Sequence, residues 1–232
     1  MSKIVYTGLE SSGKSLVLAD VAISILKRNI KWEKTHGFKR ILYSNLKFST
    51  FIEEKYKGYI KYWADIRELR GLTGVDVIWD EISTDLSAMK KEPLTRALNR
   101  WLRQGAKQGV EIYATAQEFH DIHLDFRRRV HQAYQMNKVV GSPRGGDNMP
   151  PVKYIWGFCL KREIKIHPYN ELQVEYEGVI PSIFFIRKSK TQVFDTHQTI
   201  MSSAELPYEH IEYVCERPTC KDLPKHMRIR HR

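Results

Sequence analysis

The stretch Gly8-Leu9-Glu10-Ser11-Ser12-Gly13-Lys14-Ser15 fits the pattern G-x-x-x-x-G-K-[ST], and the segments on either side of it fix its setting. Before it, Lys3-Ile4-Val5-Tyr6-Thr7 is a short β-branched run of the kind that forms a buried strand. After it, Leu18, Val21, Ala22 and Ile25 recur at helical spacing. Strand, glycine loop and helix in that order are the context a phosphate loop requires. Gly8 and Gly13 have no Cβ, so the backbone can bend tightly and turn its N–H groups toward a polyphosphate at the positive end of a helix dipole. The pattern assigns Lys14 to the β- and γ-phosphates and the Ser15 hydroxyl to Mg²⁺. ATP and Mg²⁺ are the expected cofactors, with residues 8 to 15 as the nucleotide-binding loop.

Further along, strand-like and helix-like segments alternate. Ile41 to Leu46 reads as a second strand, Phe51 to Lys57 as a short helix or turn, and Tyr59 to Trp63 as another strand. Val75 to Glu81 follows Gly71 and Gly74, which punctuate the chain. Pro93 opens a helix with Leu94, Leu98, Trp101 and Leu102 on one stripe and Arg96, Arg100, Arg103 and Lys107 on another. Glu111 to Gln117 is the next strand, Leu124 to His131 a short helix, and Tyr134 to Val140 a strand again. Such alternation implies an α/β fold, a mainly parallel sheet covered by helices on both faces. Gly141 to Pro151 is turn chemistry throughout. Beyond it, Lys153 to Ile166 and Ile183 to Lys188 read as strands without intervening helices, an antiparallel extension of the same sheet. The expected organisation is a P-loop domain over residues 1–200, with a core at 1–141 and a β-rich extension at 152–200, followed by a basic tail at 201–232.

Asp80 and Glu81 end an apolar strand, where a Walker B pair belongs. The aspartate can hold the Mg²⁺ shell and the glutamate can polarise the attacking water. Gln117 ends the next strong strand, at the edge that lines the ligand crevice of an open parallel sheet, and its amide suits a γ-phosphate sensor. Charge that develops on a transferred phosphoryl group is often neutralised by an arginine from a neighbouring subunit. Arg100, Arg103, Arg127, Arg128 and Arg129 are the candidates, with Arg103 preferred. Lys14, Glu81, Gln117 and Arg103 thus form the expected catalytic set, and Ser15 and Asp80 the metal set.

Lys plus Arg total 38 against 27 Asp plus Glu, a formal net charge of +11, which favours a polyanion as partner. No apolar run reaches the roughly 18 residues that span a bilayer. The opening residues go straight into a strand and leave no room for a signal peptide. Three cysteines are too few for a disulfide scaffold, and a reducing, cytoplasmic compartment is expected. Cys215, Cys220, His226 and His231 form a C-x4-C-x5-H-x4-H series of zinc-type ligands. The spacer between the pairs is shorter than in the usual finger, and His210 and Cys159 offer other partners, so free thiols in a basic tail are the preferred reading.

With these residues in order, the chain resembles the viral branch of the FtsK/HerA superfamily, which holds Zot-like phage proteins and the packaging ATPases of tailless viruses. The resemblance is carried by Gly8 to Ser15, by Ile78-Trp79-Asp80-Glu81, by Leu102-Arg103-Gln104-Gly105 ahead of Ile112 to Gln117, and by Val193-Phe194-Asp195-Thr196. It implies a RecA-like core that assembles into a ring, commonly a hexamer, with sites at subunit interfaces and DNA, single- or double-stranded, in a basic central channel. By the same resemblance Asp80 and Glu81 are the metal-shell and water-activating acids, Gln117 the sensor and Arg103 the trans finger. Zot-like extrusion proteins carry a membrane-spanning segment after this domain. A packaging motor, working with a capsid or portal component, is therefore the expected role, with extrusion or a nucleotide-switched DNA-binding assembly protein as alternatives.

Overall fold

The computed structural model of the chain describes residues 2–10, 12–89, 96–105, 107–140, 157–166, 174–175, 181–186 and 193. Ser11, Pro93, Leu94, the turn-rich 141–151, Phe194 to Thr196 and the tail at 201–232 with its four cysteines and histidines lie outside the described residues.

Among the described residues nine strands form one sheet: β1 (Lys3–Thr7), β2 (Leu42–Ser44), β3 (Ile60–Tyr62), β4 (Asp76–Trp79), β5 (Glu111–Ala116), β6 (Gln132–Val140), β7 (Gly157–Ile166), β8 (Val174–Glu175) and β9 (Ser182–Ile186). Their order is β3-β2-β4-β5-β1-β6-β7-β8, with β9 also on β7. The first six are parallel, and β7, β8 and β9 add antiparallel pairings. Both parts of the expected sheet are present.

Alternation along the parallel strands builds two cores, because successive side chains point to opposite faces. Val5, Val77, Trp79, Ile112, Ala114 and Ala133 pack on one face, and Tyr6, Ile78, Leu42 and Met136 on the other. The first face is covered by α4 (Arg96–Gln104), through Leu98, Trp101 and Leu102, and by Phe126 of α5 (Leu124–Arg127). Ile82 of the single-turn α3 (Ile82–Asp85) joins the same cluster. The second face is covered by α1 (Lys14–His36), through Val17, Leu18, Ala22, Ile25 and Leu26, and by Ile52 of α2 (Thr50–Lys55).

Two helices differ in length from what their sequence pattern marks out. The apolar stripe of α1 fades after Leu26, yet the helix runs on to His36. Arg28 and Asn29 hold it to the sheet by donating to Asp76, which is fully buried at the start of β4 and also accepts from both ends of the Arg40 guanidinium fork. In the other direction α5 is one turn rather than the expected eight-residue helix, because the chain must reach β6 by Gln132.

Candidate nucleotide and hydrolysis site

β5 lies between β1 and β4, and this order brings three loops to one edge of the sheet. The phosphate loop follows β1, the acid pair follows β4, and Gln117 follows β5. Gly8 N–H donates to the Gln117 carbonyl at 2.9 Å, which ties the first loop to the third.

The loop then wraps over the start of α1. Gly8 has φ 145°, and a Cβ there would sit 2.4 Å from the Met136 carbonyl oxygen and 2.7 Å from Ser12 Oγ, so only glycine fits. Gly13 caps α1 with φ 97° and contributes no side-chain acceptor; the first turn of the helix holds no acid. The N–H groups of that turn are thus left to an external anion, the arrangement that favours phosphate. Ser12 Oγ is buried and has no partner among the described residues. Lys14 is buried, and its Nζ donates to the carbonyls of Gly8 at 2.6 Å and Leu9 at 3.1 Å. Glu10, Ser12, Gly13, Lys14, Ser15, Leu16 and Glu81 line a cavity of about 270 Å³, beside which Leu9 is exposed at the loop tip. The uncapped helix, the orphaned hydroxyl and the buried ammonium fit a polyphosphate.

Glu81 lines this cavity, and Asp80 lies buried directly before it. Glu81 adopts φ 50°, ψ 53°, the left-handed region, and is the one non-glycine among the described residues with positive φ. Its N–H donates to Thr115 Oγ1 at 2.8 Å, and the Thr115 hydroxyl donates in turn to Asp80 Oδ1. Asn45, just past β2, grips the other side of the turn: its Oδ1 accepts the Asp80 N–H at 2.8 Å and its Nδ2 donates to the Asp80 carbonyl at 2.9 Å. Left-handed backbone costs about 1–3 kcal/mol at such a residue and persists only where neighbours over-determine it. Thr115 and Asn45 supply that determination.

The turn aims Glu81 Oε1 to 3.9 Å from Lys14 Nζ. Burial, and next the neighbouring Asp80 charge, hold Glu81 above the ordinary glutamate range, with Lys14 opposing. Burial likewise raises Asp80, against the Thr115 hydrogen bond and the Lys14 charge. Among the described residues no three His, Cys, Asp or Glu side chains converge on a metal site. One buried carboxylate, Asp80, and one exposed hydroxyl, Ser15, are a donor set that suits Mg²⁺, which keeps several waters and shares its shell with substrate phosphates.

No protein-family model matches the chain, and no curated protein matches it by sequence. Among solved structures, the N-terminal domain of zonular occludens toxin from Neisseria meningitidis superposes with a TM-score of 0.53 at 17% identity, over 84% of this chain and 98% of that one. This is a RecA-like P-loop fold. The RecA-like core agrees with the resemblance carried by the motifs. The genome-packaging NTPase B204 of Sulfolobus turreted icosahedral virus 2 is also similar (TM-score 0.41, 13% identity, 70% of this chain and 91% of that one). So is the flagellar accessory protein FlaH of Methanocaldococcus jannaschii (TM-score 0.45, 15% identity, 79% and 90%).

Within this RecA-like core the expected residues divide. Gly8, Gly13, Lys14, Ser15, Asp80 and Glu81 come together. Gln117 reaches the loop through its carbonyl, while its side chain is exposed and stands outside the cavity lining. Arg103 is exposed on α4, next to Leu102, whose carbonyl accepts from Lys3 Nζ at the opposite end of β1. Five strand residues put it roughly 15 Å or more from its own phosphate loop. Arg103 is therefore absent from the site of its own chain. Asn45 and Thr115 went unrecognised in the sequence. Their signal is a polar residue at or near the carboxyl end of a strand beside β4.

Proposed function

We propose that the chain is an ATP-driven nucleic-acid translocase of the genome-packaging kind, which hydrolyses ATP at the subunit interfaces of a ring and moves DNA through a basic channel. The observation that carries this reading is the Asp80–Glu81 turn, held by Asn45 and Thr115 with Glu81 facing Lys14 across the phosphate cavity. A loop that only clamped a nucleotide would not need an acid in strained backbone at that point.

In this mechanism the α1 N-terminus and the Ser12 hydroxyl hold the phosphates, and Lys14 exchanges its loop carbonyls for the β- and γ-oxygens. Ser15 and Asp80 would hold Mg²⁺, which when bound neutralises phosphate charge. Glu81 accepts the proton of the attacking water, a task suited to a carboxyl whose proton affinity burial has raised. Gln117 senses the γ-phosphate. Arg103, remote from its own site, acts in a neighbour's. A net charge of +11 supports a polyanionic cargo. Among the described residues no helix is long and apolar enough to cross a membrane. The proposed setting is the host cytoplasm, at a packaging vertex with a capsid or portal partner, and with a ring of six as the working stoichiometry. The rival is a nucleotide-switched assembly protein that hydrolyses slowly.

The test is ATP hydrolysis by the purified chain, with and without single- and double-stranded DNA, across protein concentration and beside Lys14→Ala and Glu81→Gln. Turnover that rises with DNA and steepens with concentration supports a ring motor. Robust hydrolysis indifferent to both overturns it, and full function of Glu81→Gln would favour the switch.

A further inference from the structure

Glu10 stands inside the phosphate loop, at a position that the pattern G-x-x-x-x-G-K-[ST] leaves open. Neither the phosphate contacts nor the hydrolysis chemistry uses it. The side chain is exposed, yet it lines the cavity together with Lys14, Ser15 and Glu81. The rest of the loop is built to attract anions. Gly13 leaves the first N–H groups of α1 open, and the first turn of that helix holds no acid. A carboxylate at this place works against that design, since it repels the phosphates the loop receives.

The charges around the cavity sharpen the conflict. Lys14 is the one cation among the described residues that line it. Its ammonium is shared between the carbonyls of Gly8 and Leu9, and Glu81 lies 3.9 Å away. Asp80 is buried directly before Glu81. Three carboxylates, those of Glu10, Asp80 and Glu81, are thus set against one ammonium. Asp80 suits the Mg²⁺ shell and Glu81 the attacking water, which leaves Glu10 unexplained. Its charge does reach the site: after burial and the Asp80 charge, Glu10 also helps to hold Glu81 above the ordinary glutamate range.

We propose that Glu10 is a selectivity residue, whose carboxylate repels uncomplexed nucleoside triphosphate and so restricts the cavity to the Mg²⁺-loaded form. The repulsion scales with the charge of the ligand. A triphosphate carries about four negative charges alone and about two with Mg²⁺, so Glu10 weighs roughly twice as heavily, in log affinity, on the free form. Exposure keeps the effect modest and makes it sensitive to salt. The benefit is to occupancy. A loop filled by free nucleotide holds a ligand that lacks the ion its hydrolysis needs, and Glu10 keeps that state sparse. The proposal rests on the reading of the cavity as an ATP site.

The experiment measures equilibrium binding of the fluorescent analogue N-methylanthraniloyl-ATP to the full chain, once in Mg²⁺ and once in EDTA, at low and at high salt. The variants are Glu10→Gln, Glu10→Lys and Glu10→Asp, with thermal melting as the fold control. At low salt Glu10→Gln should bind the free analogue about tenfold more tightly and the Mg²⁺-loaded analogue about threefold more tightly, so the wild-type preference narrows by about threefold. Glu10→Lys should move further in the same direction, and Glu10→Asp should stay near wild type. All these differences should shrink at about 1 M salt. Variants that alter neither form, or both forms by the same factor, overturn the proposal. Weaker binding of the loaded form by Glu10→Gln, with the free form unchanged, also overturns it and assigns Glu10 to the metal shell. Failure of the wild type to bind the analogue in either condition overturns the ATP reading, and the proposal with it.

Discussion

Lys14 Nζ lies 3.9 Å from Glu81 Oε1, so the phosphate loop and the acid turn meet across the cavity through one long ion pair. Glu81→Gln keeps the size of the side chain and removes its basicity. Removing a general base slows a reaction by about 10²–10⁴-fold. The variant is expected to bind ATP as well as wild type, and single-turnover hydrolysis should fall by about that factor. Equal rates would remove Glu81 from the chemistry.

The supporting hydrogen bonds make a separate claim. Thr115→Val strands the Glu81 N–H and one Asp80 lone pair, and Asn45→Ala strands both backbone polar groups of Asp80. Both variants should lower kcat by about 10- to 100-fold, as expected when a supporting residue lets a reacting group drift by an ångström. The KM for ATP should hold within a factor of about two, because neither residue lines the phosphate cavity. Rescue of Thr115→Val by Thr115→Ser would assign the effect to the hydroxyl.

The left-handed backbone at Glu81 is testable without any ligand. Glycine adopts φ 50° freely and alanine does not. Glu81→Gly should therefore be more stable than Glu81→Ala by about 1 kcal/mol in urea unfolding, although glycine loses more entropy on folding at an ordinary site.

Asp76 is a test of stability alone. It is fully buried, with Arg28, Asn29 and Arg40 converging on its two oxygens at 2.7–2.9 Å. Breaking one side of a buried ion pair costs about 3–5 kcal/mol. Asp76→Asn should lower unfolding free energy by that order. Arg28→Ala should cost less, since Arg28 is 41% exposed and Arg40 remains.

Lys3 ties stability to pH. Burial, and next the Arg129 charge, lower it from 10.5 to about 8, and its Nζ donates to the Leu102 carbonyl at 2.9 Å. Below pH 8 the lysine is charged in both states, and the folded protein bears the whole cost of burying that charge. As pH rises from about 8 to 10.5 the folded form gives up the proton first, and stability relative to the unfolded chain increases. Above 10.5 both forms are neutral and the cost is gone. The total is roughly 3 kcal/mol at most. Lys3→Met lacks this cost, so its advantage over wild type should shrink across that interval in urea titrations; a constant difference would refute the assignment.

What the sequence conveyed follows from how local each signal is. Gly8 to Ser15 constrain their own backbone, and the strands around Val5, Val77 and Ile112 alternate in plain view, so the loop, the sheet and the acid pair were legible. The length of α1 was not, because Arg28 and Asn29 are fixed by Asp76, 47–48 residues away, and polar anchoring leaves no periodicity. Asn45 and Thr115 escaped for a related reason. Each acts on Asp80 and Glu81 across strands that become neighbours only when β2, β4 and β5 pair. Arg103 could be read as basic and helical, but which end of the sheet it occupies depends on the direction of α4.

Thr115 lies on β5 and Gln117 directly follows its last residue, and one binds the acid turn through its side chain while the other binds the phosphate loop through its backbone carbonyl. Slipping β5 by one residue would turn the Thr115 side chain to the other face of the sheet and move the Gln117 carbonyl away from Gly8. Tolerance to changes in chain length should therefore be very uneven across this sheet. A one-residue insertion in β3, at the edge, leaves both loops untouched, whereas the same insertion in β5 uncouples them from each other in a single event. The central strand acts as a ruler between two reactive loops, and its length is the dimension of the domain least free to drift.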